Sequence, residues 1–249
     1  MRIAPELARA LRSAPRVAAL TGAGISAESG IPTFRDALTG LWAWFRPEDL
    51  ATPEAFQRNP ELVWSWYRMR RERLRDIAPN PGHLALVELA RRVPDFTLIT
   101  QNVDGLHALA GSPDVIELHG NLTRVKCFAA DHPAGDFAEA GAGSNAVPLC
   151  AQCGSPLRPD VVWFGESLPV EALRRAQAAA RSCAVFLSIG TSNLVEPAAS
   201  LPWLAAAEGA SVIVVNPSME GQRWGTGIHH LAGPAGATLP ALLHAAWPE

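Results

Sequence analysis

Five short runs of branched and apolar residues set the strongest limit on the fold. They are Val17 to Leu20, Phe96 to Thr100, Val115 to Leu118, Ala184 to Ile189 and Ser211 to Val215. None alternates cleanly between polar and apolar, so each reads as a parallel strand covered on both faces. Helical patterns lie between them: Leu7 to Leu11, Leu62 to Ile77, His83 to Arg92, Val170 to Arg181 and Leu201 to Glu208. Strands alternating with helices predict an α/β protein built on a Rossmann-like, doubly wound parallel sheet. Two stretches break the alternation. Residues 38–81 carry Trp42, Trp44, Trp64 and Trp66 and read as a helical insert; residues 123–158 lack periodicity and hold three of the four cysteines. The sheet domain then comprises residues 1–37, 82–122 and 159–249.

The chain has 249 residues, 48% hydrophobic and 18% charged, enough for one large core with small inserts. A net charge of -3 gives no reason to expect nucleic acid as an obligatory partner. The segment Met1 to Leu7 lacks a signal-peptide core, and no run is apolar enough to cross a bilayer. Four cysteines do not make a disulfide scaffold in a chain this long, so a cytoplasmic protein is expected.

The first apolar run ends in Thr21-Gly22-Ala23-Gly24-Ile25-Ser26-Ala27, which fits G-x-G-x-x-G/A. Glycines there permit a tight turn and close approach of backbone N–H groups to a pyrophosphate; a turn without a ligand reads equally well. The acidic residue that normally follows roughly 20 positions on, at the end of a second strand, is missing. Leu41-Trp42-Ala43-Trp44 stands there, so ordinary hydride transfer is not expected. Gln101-Asn102-Val103-Asp104 and His119-Gly120 place amide, carboxylate and imidazole groups just past two further strands. Imidazole titrates near neutrality and can accept a hydroxyl proton. A satisfied core histidine or an Asn-x-Asp turn is the bland alternative.

These motifs, with Pro32-Thr33-Phe34-Arg35, Gly190-Thr191-Ser192 and Val215-Asn216, occur in the order seen in sirtuins, which the chain resembles from about Val17 to Leu242. Sirtuins are NAD-dependent protein-lysine deacylases. The resemblance implies that the acyl oxygen attacks C1′ of the nicotinamide ribose, nicotinamide leaves and an alkylimidate forms. A histidine base then activates a ribose hydroxyl, giving free lysine and O-acyl-ADP-ribose. By this resemblance His119, Asn102 and Asp104 are catalytic. Gly22, Ala23, Gly24, Phe34, Arg35, Gln101, Asn102, Asp104, Gly190, Thr191, Ser192, Asn216 and Ala235 bind NAD, the last from a segment similar to the family's adenine-binding end. Val161, Phe164, Gly165 and Glu166 resemble the acyl-lysine groove.

The segment around Ala51, with Tyr67 and Arg70, resembles the class III branch, which removes succinyl, malonyl and glutaryl groups. Spacing i, i+3 puts Tyr67 and Arg70 on one helix face. An arginine fork and a phenol can both bind a carboxylate, while Ala51 leaves room for the longer acyl chain. The competing reading is a solvated basic face, since Arg68, Arg71, Arg73 and Arg75 lie close by. Acyl-lysine proteins or peptides are the expected partners, acetyl-lysine a second substrate, and a monomer the expected state.

Sirtuins also carry two Cys-x-x-Cys pairs around a structural zinc, so residues 123–158 read as zinc-ribbon-like. Cys150 and Cys153 form one pair; Cys127 remains of the other, with Ala130 where its partner would stand. Asp131 or His132 could supply the fourth ligand; otherwise the site is weak or empty. Two further functions compete with deacylation: an NAD or ADP-ribose sensor without turnover, and a protein ADP-ribosyltransferase.

Overall fold

The computed structural model describes residues 3–32, 47–134, 146–218 and 227–248. Its strands are β1 (Arg16–Thr21), β2 (Asp95–Thr100), β3 (Ile116–Glu117), β4 (Gly120–Cys127), β5 (Leu157–Val161), β6 (Val185–Ile189), β7 (Ser211–Asn216) and β8 (Ile228–Ala232). Six lie parallel in the order β3-β2-β1-β6-β7-β8. The direction of winding reverses between β1 and β6. The ends of β1 and β6 therefore frame a crevice, the place where such sheets bind ligands.

The main helices are α1 (Pro5–Ser13), α2 (Pro53–Arg58), α3 (Pro60–Leu74), α4 (Pro81–Arg92), α5 (Val170–Ser182), α6 (Leu201–Ala207) and α7 (Ala235–Ala246). The two-residue period of the strands divides the core between the faces of the sheet. Val17 and Ala19 of β1 pack with Leu11 of α1, Leu86 and Leu89 of α4, and Leu239 and Leu242 of α7. Ala18 and Leu20 pack on the other face with Ala176 and Ala180 of α5 and Leu201 and Ala205 of α6. Each large aliphatic side chain buried here contributes roughly 1.5–3 kcal/mol.

The five expected strands are present, although the run at Val115 to Leu118 forms only the two-residue β3. The alternation also hid β8, the antiparallel pair β4–β5 and the whole of α7. The helix α7 grows from the segment Gly233 to Pro240, and Pro240 sits inside it.

The stretches read as separate inserts share cores. Phe56 of α2 and Val63, Trp66 and Tyr67 of α3 pack with Leu122, Val161 and Trp163. Trp64 packs with Val125, Cys127, Cys150 and Leu157. Local sequence explains the helices. Thr52 and Asn59 accept from the N–H groups of Ala55 and Leu62, and Pro53 and Pro60 occupy first helical positions. At the start of β4, Gly120 has φ +78, and a Cβ there would lie 2.1 Å from the Asp160 carbonyl oxygen. Only glycine lets β4 leave His119 this close to β5.

Candidate active site

Two glycine turns interlock in the crevice. The N–H of Gly22 donates to Ile189 O at 3.0 Å and that of Gly24 to Gly190 O at 2.8 Å. A Cβ on Gly24 would stand 2.7 Å from Gly190 Cα, and one on Gly190 (φ +59) 2.4 Å from Ile25 N. These donors are turned inward. The glycines bring two chain segments together, and the floor of the crevice is backbone that a dinucleotide can approach closely.

Around this floor the polar groups form one net. Gln101 Nε2 donates to Thr191 Oγ1 at 3.0 Å. Asn102 Nδ2 donates to Gly22 O at 3.1 Å and Ser26 Oγ at 3.2 Å. Ser26 in turn donates to Asp104 Oδ2 at 2.8 Å, and the Leu106 N–H donates to Oδ1 at 2.9 Å. Burial raises the Asp104 pKa, against the Leu106 N–H, the Ser26 hydroxyl and the Arg70 charge. Asn216, at the end of β7, donates to Thr191 O at 3.1 Å. Ser192 is half-buried. The Ala235 methyl is buried in the first core. Phe34 and Arg35 lie outside the described residues.

His119 is half-buried, with Nδ1 2.9 Å from Gln101 O. A carbonyl only accepts, so Nδ1 carries the proton and Nε2 keeps its lone pair. Burial lowers the His119 pKa, partly opposed by that carbonyl, so the ring is a neutral base at pH 7.

The groove residues divide. Phe164 is 52% exposed, and its N–H donates to Ala51 O at 2.9 Å. Gly165 has φ +87 and open space around its Cα. Val161 is buried in the third core. Glu166 is held by Arg158, whose Nη2 donates to Oε2 at 2.8 Å, and by the Trp163 N–H at 2.8 Å. Tyr67 is 2% exposed, and its Oη accepts from Trp163 Nε1 at 2.9 Å. The Arg70 guanidinium lies 4.7 Å from the Trp66 ring centroid and 5.7 Å from that of Tyr67.

In the cysteine module Cys127 Sγ lies 3.4 Å from Cys153 Sγ, and Cys150 Sγ lies 3.8 Å from His132 Nε2. Ligand atoms of Cys127, His132 and Cys150 all fall within 4.8 Å of one another. His132 Nδ1 lies 3.0 Å from Pro133 O, which leaves Nε2 free to ligate. Asp131 is turned to Lys126 Nζ at 2.7 Å. Burial alone would raise the Cys127 thiol, but the Ala130 N–H, then the Cys153 thiol and the Ala129 N–H, hold it at about 7.

Sequence reading missed Ser26 and Asn80. Asn80 Nδ2 donates to Ile25 O at 2.7 Å and Ser29 Oγ at 3.0 Å, tying α4 to the glycine turn. Asn80 directly before Pro81 is a helix-start signature that could have marked it.

A doubly wound sheet with interlocked glycine turns, and with a base, an amide and a carboxylate at its switch point, defines a dinucleotide-using α/β protein. The Sir2 family model matches residues 22–197, and the chain belongs to that family. The sequence is 55% identical to an NAD-dependent protein deacylase of Ralstonia nicotianae, over 96% of each chain. It is 51% identical to NAD-dependent protein deacylase 1 of Pseudomonas aeruginosa, over 96% of this chain and 97% of that one. A solved Sir2 homolog–NAD complex superposes with a TM-score of 0.89 at 42% identity, covering 98% of this chain and 94% of that one. A Sir2–p53 peptide–NAD+ complex gives 0.82 at 30% identity, over 98% of both. No described helix is long and apolar enough to cross a membrane.

Proposed function

We propose that the protein removes acyl groups from protein lysines with consumption of NAD, and that it favours acyl groups ending in a carboxylate. The observation that carries the deacylase reading is His119. Its tautomer is set by Gln101 O, its Nε2 is unprotonated, and it stands by the net of Asn102, Ser26 and Asp104. NAD supplies an electrophilic ribose carbon and a hydroxyl whose proton can be removed. His119 takes that proton at Nε2. Asp104, kept in place by Ser26 and Leu106, steadies the ribose and the positive charge that develops as nicotinamide departs. Asn102, held by Gly22 O and Ser26 Oγ, is the residue assigned to the carboxamide end. A binder without turnover has no use for this base.

The acyl preference rests on Tyr67 and Arg70, one helical turn apart on α3, and on Ala51, tied to Phe164. Phe164 and Gly165 offer the exposed edge for the lysine backbone. Glu166 serves the groove from behind, through its pair with Arg158. Cys127, His132 and Cys150 could together hold a zinc ion, with Cys153, 3.4 Å from Cys127 but outside that close set, as the candidate fourth ligand. The sulfur and nitrogen separations of 3.4 and 3.8 Å are close to the edge of a zinc tetrahedron, about 3.7 Å for thiolates. Such an ion would be structural.

The test is turnover of NAD with acetyl, malonyl, succinyl and glutaryl peptides on one backbone. Nicotinamide release matched to peptide deacylation is expected, fastest for the acidic acyl groups. His119→Ala is expected to lower kcat at least a hundredfold while NAD still binds. Binding without release in the wild type would establish a sensor, and label transferred to protein an ADP-ribosyltransferase.

A further inference from the structure

The hydrogen bond between Tyr67 and Trp163 has a fixed direction. An indole N–H only donates, so Tyr67 Oη is the acceptor at 2.9 Å. The phenolic proton is not used in that bond, and no acceptor for it occurs among the described residues. Burial raises the Tyr67 pKa, opposed first by Arg70 and then by the Trp163 bond, so the phenol stays protonated. Arg70, three residues on, also has donors only.

Trp163 is held from several sides. The Arg158 guanidinium carbon lies 3.4 Å from its ring centroid. Glu166 accepts from its backbone N–H at 2.8 Å and fixes Arg158 through both carboxylate oxygens. The Phe56 ring packs at 5.4 Å. Arg158 is 3% exposed and Trp163 2%. An indole this constrained cannot turn its N–H away from Tyr67 without breaking the clamp.

We propose that Trp163 is a specificity-determining positioning residue. Its N–H fills the acceptor side of Tyr67 Oη and compels the phenol to donate to the end of the acyl chain, which favours a carboxylate. The Arg158–Glu166 pair is the clamp that keeps the indole in that orientation. This rests on Tyr67 and Arg70 forming the acyl pocket, so the test separates the two claims.

Succinyl and acetyl peptides of one sequence are compared in the wild type, Trp163→Phe, Tyr67→Phe, Arg70→Met and the Trp163→Phe/Tyr67→Phe double variant. Trp163→Phe keeps the ring and deletes the N–H. It is expected to raise KM for succinyl-lysine about fivefold more than for acetyl-lysine, with the kcat ratio unmoved. In the Tyr67→Phe background it should add nothing to that selectivity. If Arg70→Met alters selectivity and Trp163→Phe does not, the Trp163 assignment is wrong and the pocket stands. If Arg70→Met leaves selectivity unchanged, the pocket reading itself fails and takes this proposal with it.

A second measurement needs no variant. Tyr67 is the single tyrosine of the chain, so its Raman doublet reports the donor or acceptor state of one phenol. A tyrosine-free succinyl peptide should shift the doublet toward a strong donor, and the acetyl peptide should not. An unchanged doublet with bound succinyl peptide overturns the proposal.

Discussion

Two buried histidines lie behind the crevice. His107 is 3% exposed, with Nε2 2.8 Å from Thr21 Oγ1. Thr21 passes its own proton to Thr100 Oγ1 at 2.8 Å, which accepts the Asn102 N–H at 3.0 Å. The His83 ring is centred 4.9 Å away, and its Nδ1 accepts the Asn80 N–H at 3.3 Å. Both rings are therefore neutral parts of the scaffold beneath Asn102. Burial pushes His83 down to about 4 and, with His83 adding to the effect, His107 to about 3. Their folded pKa values lie below the unfolded value near 6.5, so the unfolded chain takes up protons that the native state refuses. The stability they support is complete above about pH 6.5 and is lost as pH falls toward 4. The slope contributed is about 1.4 kcal/mol per pH unit for each ring. Urea unfolding at pH 7, 6 and 5 should show this decline, and His107→Gln should flatten it. An equal slope in the variant would assign the acid sensitivity to other groups.

The helix α4 does more than cover the sheet. Asn80 caps it by accepting from the Gly82 N–H at 2.9 Å, and Nδ2 holds Ile25 O and Ser29 Oγ of the glycine turn. The helix α7 packs against both, and Gly236 N donates to Glu28 at 2.6 Å. Asn80→Ala removes a cap worth about 1 kcal/mol. It also strands the Ile25 carbonyl, for a total loss of about 2–3 kcal/mol. Thermal unfolding should show that loss, and calorimetry should show weaker NAD binding as the turn loosens. A variant with full affinity for NAD would make Asn80 a cap and nothing more. Legibility in the sequence follows the same division. The strands β1, β2, β6 and β7 are unmistakable because burial on both faces demands continuous apolar runs. The strand β8 is not, because an edge strand tolerates His229 and His230. The helix α7 opens on Gly, Pro and Ala with no periodic signal, and β4–β5 is half polar. His119, Asn102 and Asp104 stand out in the sequence because they are polar groups placed just past apolar strands. Ser26, Asn80 and Trp163 bond partners far away in sequence, Asp104, Ile25 and Tyr67, and only the fold shows which ones.

The molecule is built so that its two halves can fail separately. The sheet is stabilised by two cores of its own, drawn from α1, α4, α5, α6 and α7. The proposed acyl pocket belongs to a third core, where α2 and α3 meet β4 and β5, and the cysteine module adjoins it through Trp64. Metal in that module therefore bears on the position of Tyr67, the third residue on from Trp64 in α3, far more than on the glycine turns. With Ala130 in place of a second cysteine, a zinc ion in the module would depend on His132, because Asp131 is engaged with Lys126. His132→Ala should abolish stoichiometric zinc in elemental analysis and lower the melting temperature, since a structural zinc site adds to folding free energy. His132→Cys should keep the metal, as three thiolates and an imidazole or four thiolates both close a tetrahedron. In the alanine variant, or after chelation, KM for succinyl-lysine should rise while the NAD dissociation constant stays within about twofold. Full zinc content in His132→Ala would show that the three cysteines close the site with another ligand. An equal loss of NAD affinity would show that the two halves are coupled, against the separation of their cores.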